Sequence, residues 1–143
     1  MIKVFLDIQP TFRFLKRLQA RLKNQSILMD EIGDYWEGRI LEGFRKETDP
    51  YGKKWKPLSP ATIAAKERKN YPRNILVASG KMKRKLKVTV NRKSVRITIG
   101  FPSRFHQRGT PQIPQRKIIP ENQIPKRDLR NIQDIIIDYL DIK

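Results

Sequence analysis

The sequence contains no cysteine. Disulfides, thiolate nucleophiles and cysteine-based zinc sites are therefore excluded, and the redox compartment leaves no mark on the chain. Histidine is nearly absent as well, with His106 standing alone. One imidazole with no thiol beside it and no acids at ligand spacing does not build a usual zinc site. No run of eighteen apolar residues occurs, so no transmembrane helix is expected. The opening stretch, Met1-Ile2-Lys3-Val4-Phe5-Leu6-Asp7, is too short and too soon charged for a secretory signal, and a protein made and used in the cytosol is the simplest expectation. Neither standard glycine-rich phosphate loop is present. Ser59 and Ser79 have no base placed to activate them and read as helix caps rather than nucleophiles. His106-Gln107 beside Gly109-Thr110 reads as structural hydrogen bonding in a turn. These absences argue against an enzyme, a nuclease included, and no cofactor is expected.

Negative charge is also scarce. Fourteen acids face 32 lysines and arginines, a formal charge of +18 on 143 residues. Such a surplus attracts polyanions or acidic protein surfaces. The charge is uneven. Residues 30–49 hold seven acids and three bases, a balance of −4, whereas residues 66–96 hold twelve bases and one acid, a balance of +11. Within the basic stretch, Lys81, Lys83, Arg84, Lys85, Lys87, Arg92, Lys93 and Arg96 are candidates for contact with DNA phosphates or an acidic partner. No recognition-helix motif accompanies them and no aromatics are interleaved, so any DNA contact is expected to be blind to sequence. The acid–base asymmetry suits head-to-tail contact between identical subunits equally well.

What the chain does possess is one strongly built loop, Asp49-Pro50-Tyr51-Gly52-Lys53-Lys54-Trp55-Lys56-Pro57-Leu58-Ser59-Pro60. Asp-Pro followed by Gly52 is turn chemistry. Trp55, one of two tryptophans, offers the turn a large apolar anchor. Ser59 as N-cap and Pro60 at the first helical position announce a helix.

Around this loop the patterning predicts a strand at 2–8, ended by Pro10, and a helix over about 12–23 capped by Thr11, with Leu15, Leu18 and Leu22 on its packed face. A longer helix follows over about 27–47. Leu28, Ile32, Trp36, Ile40 and Phe44 recur every four residues, a stripe that wraps round the helix and can face more than one neighbour. Gly33, Gly38 and Gly43 share no face, and no close crossing is read into them. A short helix is expected at about 60–69, and one further turn opens at Ser79-Gly80 with Met82 and Leu86 inward. A β-hairpin then pairs Val88 and Val90 with Val95, Ile97 and Ile99. Residues 103–120 read as an extended proline-rich arm with a short returning strand at 116–119, exposed enough to reach a neighbour. The last helix, about 127–142, carries Leu129, Ile132, Ile136, Tyr139 and Leu140. Together these describe one α+β domain over residues 1–143, a small antiparallel sheet with its hairpin packed on two or three amphipathic helices.

Four stretches stand in an order that resembles the phage virion morphogenesis family, the tail-completion proteins of Mu-like and other contractile-tailed phages. They are Phe44 through Asp49-Pro50-x-Gly52-x-x-Trp55-x-Pro57-Leu58-Ser59-Pro60-x-Thr62; Ile75-Leu76-x-x-Ser79-Gly80-x-Met82; the strand ending Ile97-x-Ile99-Gly100; and His106-Gln107-x-Gly109-Thr110 with Ile113-Pro114-x-Arg116. Met82 stands where the family often has leucine, and Lys117-Ile118-Ile119 replaces its usual continuation. The resemblance implies a non-enzymatic component of the virion, built in the host cytoplasm, that completes the tail at the end meeting the head. It also implies a ring in the neck, with copies of the chain, neighbouring neck and tail proteins, and genomic DNA in the lumen as partners, and no membrane.

Overall fold

A computed structural model describes residues 9–140; the expected strand at 2–8 lies outside them. The organising element is α2, Ser26–Lys46. All five residues of the predicted stripe are buried, from Leu28 to Phe44. The stripe divides as its period requires. Leu28, Ile32 and Trp36 form one core cluster, which the C-terminal helix α6 (Lys126–Leu140) covers through Ile132, Ile135, Ile136 and Tyr139. Ile40 and Phe44 form another with Trp55, Ile75 and Ile118. Ile97 of the hairpin touches both clusters and closes the gap between them.

The hairpin consists of β1 (Lys87–Asn91) and β2 (Ser94–Thr98), paired antiparallel with Val88 opposite Ile97 and Val90 opposite Val95. Its inner residues are half-buried and its outer ones exposed, the alternation expected of a sheet with one wet face. Gly33 is the reason it sits so close to α2. A Cβ there would come within 2.7 Å of Val90 Cγ2 and 3.4 Å of Val88 Cγ1. One glycine of α2 is thus a close-packing site after all, against a strand rather than a helix.

The first helix, α1 (Gln9–Lys23), departs from expectation in two ways. It already includes Pro10, so Thr11 lies inside the helix and is not its N-cap. Its apolar face is only partly covered among the described residues: Leu15 and Leu22 are each 50% exposed and Leu18 is half-buried. Periodicity identifies an apolar face but does not supply a cover for it. Polar contacts anchor α1 instead. Arg21 Nη1 donates to the Tyr139 carbonyl at 2.6 Å, and the Tyr139 hydroxyl donates back to the Arg21 carbonyl at 2.9 Å and to that of Asn24.

α3 (Pro60–Arg68) begins as predicted, with Ser59 Oγ accepting from the Thr62 N–H at 3.2 Å. α4 (Lys81–Arg84) does not use Ser79; Gly80, at φ 73°, occupies its cap position. Only glycine takes that conformation without strain.

The proline-rich stretch differs most. Residues Ser103–Arg108 form a helical turn and a half, α5, and no strand exists at 116–119. The stretch is not a free arm: Gln107, Arg116 and Ile118 are buried. Its backbone finds side chains where a strand would find another backbone. Gln107 Oε1 accepts from the Ile118 N–H at 2.7 Å and the Ile119 N–H at 3.2 Å, while Gln107 Nε2 donates to the Ile119 carbonyl at 2.7 Å. Trp55 Nε1 donates to the Lys117 carbonyl at 2.9 Å.

In α6, Leu129 is 44% exposed rather than inward. The fully buried residue beside it is Asp128, which accepts from Arg39 Nε at 2.8 Å and the Tyr35 hydroxyl at 2.5 Å. Burial and the Asp128 carboxylate together raise the Tyr35 pKa. Arg39 also donates to the Pro50 carbonyl at 2.8 Å, so one guanidinium joins α2, α6 and the Asp-Pro loop.

Candidate functional site

The Asp-Pro loop takes its shape from its own residues. Asp49 Oδ1 accepts from the N–H of Tyr51 at 2.9 Å and of Lys53 at 2.8 Å, and Gly52 follows at φ 90°. The Trp55 N–H returns to the Glu47 carbonyl at 2.8 Å. The Trp55 ring meets Phe44 edge-on at 5.6 Å and is 5% exposed. Glu47 itself turns left-handed at the end of α2 and accepts the Ile75 N–H at 2.8 Å, drawing the second motif stretch against the first.

The fourth stretch is sewn to the first by Arg116, which is 6% exposed. Its Nε donates to the Lys56 carbonyl at 2.9 Å, its Nη2 to the Pro57 carbonyl at 3.1 Å, and its N–H to the His106 carbonyl at 2.7 Å. Gly109, at φ 78°, lets the chain fold back so that residue 115 passes within 3.1 Å of where a Cβ would stand.

The result is one groove of about 870 Å³. Of the residues singled out in the sequence, Pro57, Leu58, Ser59, Ser79, Gly80, His106, Pro114 and Arg116 line it, together with Lys81 and Lys85. Asp49, Pro50, Gly52, Trp55 and Gly109 do not reach it; they shape the loops that form its walls. The sequence reading missed Lys56, Lys66, Leu76, Val77, Phe101, Pro102, Gln112 and Ile113 as lining residues. Leu76 and Ile113 stood inside quoted motif stretches, but nothing in the spacing marked Lys66 or Phe101. Leu76 also carries a signal visible only in the backbone, a left-handed φ of 58° that a bulky side chain rarely adopts.

The groove is apolar and positive. Its lining includes four lysines and Arg116 but no aspartate or glutamate. Lys66, 9% exposed, donates to the Asn74 carbonyl at 2.5 Å. Burial lowers its pKa; Glu47 partly offsets this and the Arg116 charge adds to it. Burial lowers that of Arg116 too. His106 is held toward the neutral form by burial first and by Arg116 second. Its Nδ1 is buried with no hydrogen-bond partner. The structural hydrogen bonds expected of His106-Gln107 thus come from Gln107 and not from the imidazole.

The remaining basic candidates lie elsewhere. Lys83 lines a separate hollow with Leu41, Glu42 and Arg45 of α2 and with Val77. Lys87 and Arg96 stand on the outer face of the hairpin and Arg92 and Lys93 at its turn; all are exposed, as is Arg84. Lys87 and the turn pair Arg92 and Lys93 lie at opposite ends of the hairpin, while Arg84 lies on α4. No helix among the described residues is long and apolar enough to cross a membrane.

Separated sequence motifs of this small α+β domain thus converge on one preformed groove. The chain matches the phage virion morphogenesis family over residues 6–141, nearly its whole length, and belongs to that family, whose role is structural. Neither the comparison with curated proteins nor that with solved structures returns a match.

Proposed function

We propose that this virion protein is a non-enzymatic subunit of the head–tail junction that completes the tail and allows head and tail to join, acting as a ring in the neck. Family membership supports a virion role. The observation that carries the finer reading is the convergence of three of the four motif stretches, through residues 57–62, 76–82 and 106–116, on one groove that Phe101 and Pro102 also line, an arrangement suited to holding a neighbour. The acidic outer face of α2, with Asp30, Glu31, Asp34 and Glu37 exposed, and the basic hairpin end give each subunit two unlike surfaces, as a head-to-tail ring needs. Neighbouring neck and tail proteins and copies of the chain are the partners in this reading, with the virion as its final location and the host cytoplasm as the place of assembly.

The test is electron microscopy of a lysate in which the gene is silenced, with purified protein added back. Separate DNA-filled heads and tails with defective ends, joined on add-back, are the expected result, and a Trp55→Ala protein fails to rescue because its loop collapses. Infectious, joined particles without the protein would refute the reading. Empty heads or missing tails would move the role to an earlier step.

A second reading, sequence-blind DNA binding, rests on the eight exposed bases from Lys81 to Arg96. It predicts binding to unrelated duplexes that weakens steeply with salt. No binding at low salt would end it.

A further inference from the structure

We propose that the groove receives a short extended segment of a different virion protein, one carrying apolar side chains and at least one carboxylate. This rests on the docking role above and names its occupant by chemistry.

The apolar part follows from Leu58, Leu76, Val77, Met82 and Ile113 along the walls and Phe101, 66% exposed, at the edge. Soluble proteins leave a large aromatic side chain this open next to an apolar slot chiefly where something covers it. The carboxylate follows from the charge. Lys66 and Arg116 are both nearly buried in the groove lining, Lys56, Lys81 and Lys85 line it as well, and no acid among the described residues does. These positive groups are met by carbonyl oxygens, and by Glu47 in the case of Lys66, so the groove keeps a positive charge that an incoming anion would stabilise further.

A volume of about 870 Å³ lies at the upper end of pockets that enclose compact ligands, room for a few extended residues. The described part of this chain offers no such segment. Its extended stretches are basic: 48–59 sets three lysines against Asp49, and 110–125 sets Arg116 and Lys117 against Glu121. Its acids on α2 sit on a helix whose other side is core, and α2 cannot enter a pocket without leaving that core. Nucleic acid fits less well, since phosphates gain little from an apolar slot and the exposed bases of the hairpin end are open to them.

The test is fluorescence anisotropy of the full chain with a fluorescein-labelled eight-residue peptide alternating leucine and aspartate. Matched probes carry asparagine for aspartate, or are an unrelated oligonucleotide of the same length. The aspartate peptide binds, and the asparagine peptide binds about tenfold more weakly. Lys81→Glu and Phe101→Asp, both at exposed positions, each weaken binding of the aspartate peptide about tenfold, while the hairpin-turn pair Arg92→Glu and Lys93→Glu leaves it unchanged. No binding, equal binding of the asparagine peptide, or loss confined to the hairpin-turn variant would overturn the proposal. Displacement of the peptide by the oligonucleotide, with both lost in Lys81→Glu, would assign the groove to nucleic acid instead. Displacement by unlabelled copies of the chain would assign it to self-association. A chain that restores head–tail joining yet binds no peptide refutes the occupant alone. A chain that binds the peptide although particles join without it refutes the junction role and leaves the groove's chemistry standing.

Discussion

Two glycines of one helix should respond to the same substitution in opposite directions. Alanine at either Gly33 or Gly38 gains the same helix term, about 0.5–1 kcal/mol. At Gly38 nothing lies within 4 Å of the new methyl, so the gain is realised. At Gly33 the methyl falls 2.7 Å from Val90 Cγ2, well inside the ordinary contact of two carbons. Valine has few rotamers with which to give way, and the strand that carries it is held in register by Val95. The overpacking costs about 1–3 kcal/mol, which outweighs the helix gain. The difference between the two variants isolates that cost, because the propensity term cancels. Urea unfolding followed by circular dichroism should place Gly38→Ala above the parent and Gly33→Ala below it. At a chain length near 150 residues the gap corresponds to roughly 3–10 °C in Tm. Equal stabilisation of both variants would refute the packing of the hairpin on α2.

Trp55→Ala should cost about 3–5 kcal/mol, since it empties a buried site against Phe44. Trp55→Phe should cost about 1–2 kcal/mol, because it keeps the ring contact and orphans only the Lys117 carbonyl; denaturant midpoints of both variants check the ordering. Asp128→Ala leaves Arg39 without its buried carboxylate and should cost about 3–5 kcal/mol by the same measurement, with Asp128→Asn milder. His106 binds its proton less tightly folded than unfolded. Its contribution is therefore complete above the free value of 6.5 and is lost as pH falls below it. The unfolding free energy of the parent should drop more between pH 7 and 5 than that of His106→Gln, and parallel curves would contradict this.

How far the sequence could be read depended on where each element finds its partners. The α2 stripe was legible because five large residues repeat at helical spacing and all find cover. The hairpin was legible because its period of two changes at the Asn91–Ser94 turn. α1 shows the converse, a regular apolar face that the described residues cover only in part. The stretch at 116–119 misled because β-branched residues suggested a strand, whereas side-chain groups of Gln107 and Trp55 take up the backbone of Lys117, Ile118 and Ile119. Ser79 misled because a serine before a helix suggests a cap, and a left-handed glycine supplied it instead. The motif residues were visible as an ordered set. That eight of them share a groove was not, since Arg116 and Pro57 meet only through a guanidinium bridging distant parts of the chain.

That bridge has a consequence for timing. Lys56 and Pro57 leave the ribosome long before Arg116, and until Arg116 arrives their carbonyls have no guanidinium to hold them in place. A new chain can therefore hold this wall of the groove in place only once Arg116 has been made. Under the proposed docking role, a partner of the groove would pass over chains that stop short of Arg116.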